Sequence, residues 1–251
     1  MPTMQPLAGK TILVTGAARR VGAAIARRLH ALGADVLIHY RGSGSQAGEL
    51  AAALNSVRPD SARTLRLDLA DIAAFDEFAA RAVGAYGRLD GLVNNASGFY
   101  PTPLGSITGA QWDDLMASNL RAPLFLSQTL APALRQAQGA IVNIVDIHAD
   151  RPLKNYVVYS AAKAGLMGLT KALALEFAPE VRVNGVSPGP IQWPDDGQLD
   201  AAERTRILAA TPLKREGGAD EVARAVGFFF TDAPYVTGQI LAVDGGRSIY
   251  L

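Results

Sequence analysis

From Lys10 to Tyr40 the apolar pattern switches from strand to helix and back to strand, and a glycine turn marks the first switch. Lys10-Thr11-Ile12-Leu13-Val14-Thr15 is apolar, β-branched and ended by glycine, the pattern of a short buried strand. Gly16-Ala17-Ala18-Arg19-Arg20-Val21-Gly22 then leads into Ala23-Ala24-Ile25-Ala26-Arg27-Arg28-Leu29, where apolar residues recur at helical intervals. Gly33 closes that helix, and Asp35-Val36-Leu37-Ile38-His39-Tyr40 is the next strand. Strand, glycine turn, helix, strand is the first unit of a dinucleotide fold, with a pyrophosphate at the N-terminus of the helix.

The alternation continues to the end of the chain. Further strands are expected at 62–67, 89–93, 140–145, 181–186 and 239–243, and helices at 72–86, 156–177, near 200–210 and 220–230. An Ala/Leu-rich helix follows the connector Arg41-Gly42-Ser43-Gly44-Ser45 and ends near Arg58-Pro59. Residues 110–134 read as mostly helical, with Pro123 expected to kink or divide them. The whole is read as α/β: a single doubly wound Rossmann-type parallel sheet with helices on both faces. One domain over residues 1–251 suits the length. The loops 100–108 and 188–197 leave the carboxyl ends of strands, where ligands bind in such sheets. Gly16, Asn95, Asp146 and Ser187 are carried to that same edge.

The ribose-reading position comes at the end of the second strand, where an acid would bind a 2′-hydroxyl. Tyr40 and Arg41 stand there instead, with Arg19 available from the glycine turn. Two cations and no carboxylate suit a 2′-phosphate, which implies NADPH rather than NADH.

The chain carries 24 Lys and Arg against 23 Asp and Glu, a formal charge of +1, which argues against nucleic acid or an anionic membrane as partner. With no cysteine there is neither a disulfide nor a thiolate metal site. Met1 to Gly9 lacks the pattern of a signal peptide, and no apolar run reaches the roughly 20 residues of a membrane span, so a soluble, cytoplasmic protein is expected. His30, His39 and His148 lack metal-ligand spacing and read as helix surface, strand end and site-edge loop, with no metal site. Asp195 and Asp196 read as a solvated loop, and Phe228-Phe229-Phe230 as core or subunit contact. Trp193 is either a lid aromatic or simple loop packing.

Chemistry enters with Tyr159-Ser160-Ala161-Ala162-Lys163, since residues four apart share a helix face. A nearby ammonium favours the phenolate and is expected to lower Tyr159 from its usual value of about 10. Tyr159 is then a candidate proton donor to a substrate that receives hydride. Asp146, thirteen residues earlier, puts a second ionisable group where a hydroxyl would suffice to orient a carbonyl.

Together these residues resemble the short-chain dehydrogenase/reductase family over nearly the whole chain. Thr15-Gly16 with Gly22 looks like its cofactor turn, Asn94-Asn95-Ala96 like the motif after its fourth strand, and Ser187-Pro188-Gly189 like its nicotinamide-side loop. Asp68-Leu69 matches its adenine-contacting pair, Asn119 its helix asparagine, and Tyr159 with Lys163 its catalytic pair. By position the resemblance implies catalytic roles for Asn119, Asp146, Tyr159 and Lys163. It implies cofactor contacts at Gly16, Arg19, Arg20, Val21, Gly22, Tyr40, Arg41, Asp68, Leu69, Asn95, Ala96, Ser97, Pro188, Gly189 and Ile191, besides Tyr159 and Lys163.

Three departures are similar to the pteridine reductases of that family: Arg20 in place of the middle glycine, Asp146 in place of the catalytic serine, and the run Ser97-Gly98-Phe99-Tyr100-Pro101. Carried over, Phe99 would stack on a pterin opposite the nicotinamide. Ser97 and Arg20 would bond between pterin and cofactor phosphates, and Trp193 would border the substrate. Members of this type are commonly tetramers, so the resemblance also implies a homotetramer. The leading expectation is an NADPH-dependent reductase of dihydropterins or dihydrofolate. A 3-oxoacyl-carrier-protein or other carbonyl reductase is the alternative, set against by the missing serine. A non-enzymatic nucleotide sensor is less well supported, because Asn119, Tyr159 and Lys163 are all kept.

Overall fold

A computed structural model describes residues 5–193 and 200–249. Its strands are β1 (Thr11–Val14), β2 (Asp35–Tyr40), β3 (Ala62–Arg66), β4 (Gly91–Asn94), β5 (Ala140–Ile144), β6 (Arg182–Pro188) and β7 (Ile240–Val243). They form one parallel sheet in the order β3-β2-β1-β4-β5-β6-β7. The order reverses between β1 and β4, which leaves a crevice above their carboxyl ends.

Successive side chains of a strand point to opposite faces, so continuous apolar runs feed two cores at once. Ile12, Val14, Val36 and Ile38 pack on one face with Ile25 and Leu29 of α1 (Arg20–Ala31), Leu50 of α2 (Gly44–Val57) and Phe229 of α8 (Ala219–Thr231). Leu13, Leu37, Leu92 and Ile141 pack on the other with Phe75 and Phe78 of α3 (Phe75–Tyr86), Leu126 and Leu130 of α5 (Ala122–Gln136) and Phe177 of α6 (Val157–Phe177). Each such side chain contributes about 1.5–3 kcal/mol by leaving water. Below the sheet, Asp90 accepts from the Thr11 N–H at 2.9 Å and pairs with Lys10 at 3.0 Å and Arg88 at 2.7 Å, which clamps the starts of β1 and β4.

The long helical stretch is divided, as expected. α4 (Gly109–Met116) starts at a capping box between Thr108 and Gln111, then widens into a π-helical turn at Ala117–Arg121 before α5. Pro123 follows directly on that π-helical turn, in the first turn of α5, so the stretch is divided just before the proline. Pro132 is the proline inside α5. His30 is a correction, since it is buried rather than on the helix surface, with Nε2 2.7 Å from the Ser61 hydroxyl. Among the described residues no helix is long and apolar enough to cross a membrane.

Candidate active site

The carboxyl ends of β1, β2, β4, β5 and β6 open into one cleft of about 1380 Å³. At its base, Gly16 adopts φ +61° and lies so close to β4 that a Cβ would stand 2.9 Å from Ala96 Cα. A Cβ on Gly22 would collide with the Gly16 carbonyl, so the first turn of α1 lies directly on the loop. The Thr15 hydroxyl accepts the N–H groups of Asn95 at 2.9 Å and Ala96 at 3.0 Å. The Asn95 amide in turn donates to the carbonyls of Thr15 at 2.8 Å and Gly16 at 3.2 Å. Asn95 thus borders the cleft while its amide is engaged in holding the glycine turn.

His39 completes this base and has a larger role than a strand end. Its Nδ1 accepts the Gly16 N–H at 3.0 Å, and its Nε2 lies 3.1 Å from the Leu67 carbonyl. That pattern requires the neutral ring protonated on Nε2. Burial agrees, lowering His39 to about 4. Its partners come from β1 and the end of β3, so nothing local in the sequence marks it.

Arg20 stands where the turn needs a left-handed backbone, at φ +52°. A non-glycine residue there costs about 1–3 kcal/mol. The guanidinium reaches across the cleft and donates to the Gln192 carbonyl at 2.6 Å, joining the glycine turn to the loop after β6. Arg19, Tyr40 and Arg41 border the cleft beyond the end of β2, and Val21, Asp68 and Leu69 border it as well. Asp68 also accepts the Ala70 N–H at 3.0 Å, which fixes one carboxylate oxygen.

At the centre, β5 delivers Asp146 and α6 delivers Tyr159 and Lys163. The Tyr159 hydroxyl donates to Asp146 Oδ2 at 2.7 Å, while Asp146 Oδ1 accepts the His148 N–H at 2.8 Å. Lys163 is buried and donates to the Ile144 carbonyl at 2.8 Å. Burial brings its ammonium down to about 8, against the pull of the Asp146 charge.

The expected lowering of Tyr159 is overturned. Burial first, and then the Asp146 carboxylate, hold the phenol well above its ordinary value, with Ser97 opposing. The spacing does bring Lys163 to 5.8 Å from the tyrosine ring, but the nearer carboxylate sets the field at the hydroxyl. Tyr159 is therefore a phenol with a proton to give.

Asn119 sits in the π-helical turn, buried behind this group. Its amide donates to the carbonyls of Gly98 at 3.0 Å and Leu115 at 2.9 Å and accepts from the Ser97 hydroxyl at 2.7 Å. It does not line the cleft, whereas Ser97 does. Phe99 meets the edge of Tyr159 at 4.8 Å and stacks on Tyr156 at 4.6 Å and 18°. The Tyr156 partner was not foreseen, although it lies three residues before Tyr159 on the same segment.

Pro188, Gly189 and Ile191 form the wall after β6. Gly189 donates to the Val243 carbonyl at 3.0 Å and packs against Asp244, and Ile191 bridges to Gly217. Trp193 borders the cleft half-buried, with its backbone N–H donating to the Glu216 carboxylate at 2.7 Å. Asp195 and Asp196 lie outside the described residues. The cleft also includes Arg151, Lys154, Arg206 and Arg247, cations that the sequence reading did not single out.

A glycine turn with no room for a Cβ, a helix N-terminus above it and a buried Tyr-Lys pair beside it fit a nicotinamide dinucleotide. A family model described as Enoyl-(Acyl carrier protein) reductase matches residues 16–248. The chain belongs to the short-chain dehydrogenase/reductase family, whose members are oxidoreductases. Pteridine reductase 1 of Leishmania tarentolae is 41% identical, covering 94% of this chain and 96% of that protein. The 3-oxoacyl-[acyl-carrier-protein] reductase FabG of Escherichia coli K12 is 36% identical, covering 95% and 97%. An uncharacterised short-chain dehydrogenase/reductase of Sinorhizobium fredii is 37% identical, covering 97% and 99%. The higher identity to the first agrees with Arg20, Phe99 and Asp146 in assigning the chain to the pteridine reductase branch.

Proposed function

We propose that this protein is an NADPH-dependent reductase of pteridines, taking a dihydropterin or dihydrofolate to its tetrahydro form. The observation that carries the reading is the 2.7 Å bond from the Tyr159 hydroxyl to Asp146, with Phe99 edge-on to the same tyrosine. A carbonyl needs only a hydroxyl to orient it. A C=N bond that gains hydride at carbon needs a proton at nitrogen, and two linked acids can deliver one and restore it.

The cofactor supplies hydride. Gly16, Arg20, Val21 and Gly22 would hold its pyrophosphate, Arg19 and Arg41 its 2′-phosphate, and Lys163 its nicotinamide ribose. Tyr159 passes its proton toward the substrate nitrogen, and Asp146, bonded to that hydroxyl, relays the replacement. Ser97 is held by Asn119 and faces the same space as Phe99, which would cover one face of the pterin ring. A homotetramer and a cytoplasmic location belong to the same proposal by resemblance.

The test is NADPH consumption with dihydrobiopterin, dihydrofolate and acetoacetyl-CoA in parallel. Pterin-dependent oxidation is expected. Oxidation with the thioester and with neither pterin overturns the reading in favour of a carbonyl reductase.

A further inference from the structure

Charge in the cleft is unlike charge in the chain. The chain is nearly balanced, yet eight lysine and arginine side chains line the cleft against four carboxylates. Arg19, Arg20 and Arg41 answer the cofactor phosphates, and Lys163 belongs to the catalytic centre. Arg151, Lys154, Arg206 and Arg247 are left, and the proposed cofactor gives them nothing to bind.

Arg206 and Arg247 line the same cleft, and the packing that sets their segments there needs no ligand. Arg206 is on α7 (Ala201–Ala209), and the segment after that helix docks on the glycines preceding Arg247. The Leu213 N–H donates to the Gly245 carbonyl at 3.1 Å, and a Cβ on Gly246 would stand 2.8 Å from the Pro212 ring. The Arg247 guanidinium has no hydrogen bond or ion pair among the described residues, and it is partly buried. Arg206 has one loose ion pair there, to Glu203 at 3.5 Å. Burial, and then the Arg206 charge, lower Arg247.

We propose that Arg206 and Arg247 form an anion subsite in the cleft wall that takes the carboxylate tail of the substrate, so that the enzyme prefers a dihydrofolate to a pterin with an uncharged side chain. Two guanidinium forks suit two carboxylates, since each can bind one with paired N–H donors. The identity of the ring rests on the pteridine reading; the subsite does not.

Two measurements decide it. The first is kcat/KM for dihydrofolate divided by that for dihydrobiopterin, in the parent, in Arg206→Gln and in Arg206→Gln/Arg247→Gln. The ratio is expected to fall about tenfold or more in the double variant, through KM, because charge-assisted bonds are lost for one substrate only. A smaller fall is expected in Arg206→Gln, whose exposed side chain is not needed for folding. An unchanged ratio in the double variant overturns the subsite.

The second is saturation-transfer NMR with p-aminobenzoylglutamate alone. A signal in the parent that vanishes in the double variant supports the subsite, and no signal in the parent overturns it. Inorganic phosphate at equal concentration is expected to leave the signal standing; displacement would overturn the carboxylate assignment in favour of a phosphate ester. A parent that reduces neither pterin ends the pteridine reading, and the fragment alone then decides the subsite.

Discussion

In the half of the cleft proposed to hold the cofactor, side chains are engaged with backbone. Thr15 holds two N–H groups of the β4 loop, Asn95 holds two carbonyls of the glycine turn, and His39 spans Gly16 and Leu67. In the substrate half, side chains face one another: Tyr159 on Asp146, Phe99 on Tyr156, Ser97 on Asn119. The first half is a shaped backbone surface whose side chains act by keeping that shape. The second is a set of charges and rings whose relations would carry the proposed chemistry. Substitutions are therefore expected to affect folding and cofactor affinity in the first half, and turnover in the second.

The largest effect is expected at Asp146. Asp146→Asn keeps the size of the side chain and leaves NADPH affinity near that of the parent, but it cannot relay a proton. Pterin turnover is expected to fall by about 10²–10⁴, the usual contribution of a positioned acid. The measurement is kcat against pH with dihydropterin. Parent-like turnover across the range would make Asp146 a structural residue and erase the contrast between the halves.

His39 gives the next largest effect, and on stability. The folded protein keeps the ring neutral down to about pH 4, while the unfolded chain takes the proton near 6.5. Between these values the unfolded state binds more protons, so stability is full above pH 6.5 and lost as pH falls toward 4. The loss from this one group reaches about 3 kcal/mol, at 1.36 kcal/mol per unit. His39→Asn is expected to be less stable at pH 7 but flatter with pH in urea melts. A variant that loses as much as the parent on acidification would show that His39 is not the group responsible.

Arg41 tests whether the cofactor half also contains a side-chain reader. Arg41→Asp is expected to weaken NADPH binding by about 10- to 100-fold, from the loss of a bond worth about 1.5–3 kcal/mol, and NADH binding much less. Titration of cofactor fluorescence separates the two. Equal weakening would return the 2′-phosphate to Arg19 alone.

The asymmetry between the halves also explains what could be read from the sequence. The strands were legible because runs such as Ile12-Leu13-Val14 are buried on both faces, and the glycine turn because Gly16 and Gly22 leave no room for a Cβ. The winding of the π-helical turn was not, since Pro123 signals a division without its form and the widening lies where the Asn119 amide bonds to Gly98. The burial of His30 was not legible because its partner Ser61 is distant in sequence, and the strand-end position of His39 could not show its bond to Leu67 for the same reason. The tyrosine-lysine spacing correctly brought two groups together but could not show that burial and Asp146 would outweigh the lysine at the hydroxyl. Arg206 and Arg247 share the cleft wall only after the segment that follows α7 docks on the turn after β7.

The smallest expected effect belongs to Phe99, and it asks whether a ring of the substrate half acts on substrate or on the protein. Phe99 has one face on Tyr156 at 18° and its contact with Tyr159 at 78°, so it already contributes two aromatic pairs without any ligand. A pterin lying on the free face would add a third, worth about 0.5–1.5 kcal/mol beyond the area buried. Phe99→Ala is expected to raise KM for dihydropterin by about 2- to 12-fold while NADPH affinity stays near that of the parent. The same variant loses the support that Phe99 gives the tyrosine ring, so kcat is the reading that separates the two roles. A rise in KM with kcat kept would be the stacking role. A fall in kcat with KM unchanged would mean that Phe99 positions Tyr159 and that the pterin ring rests elsewhere.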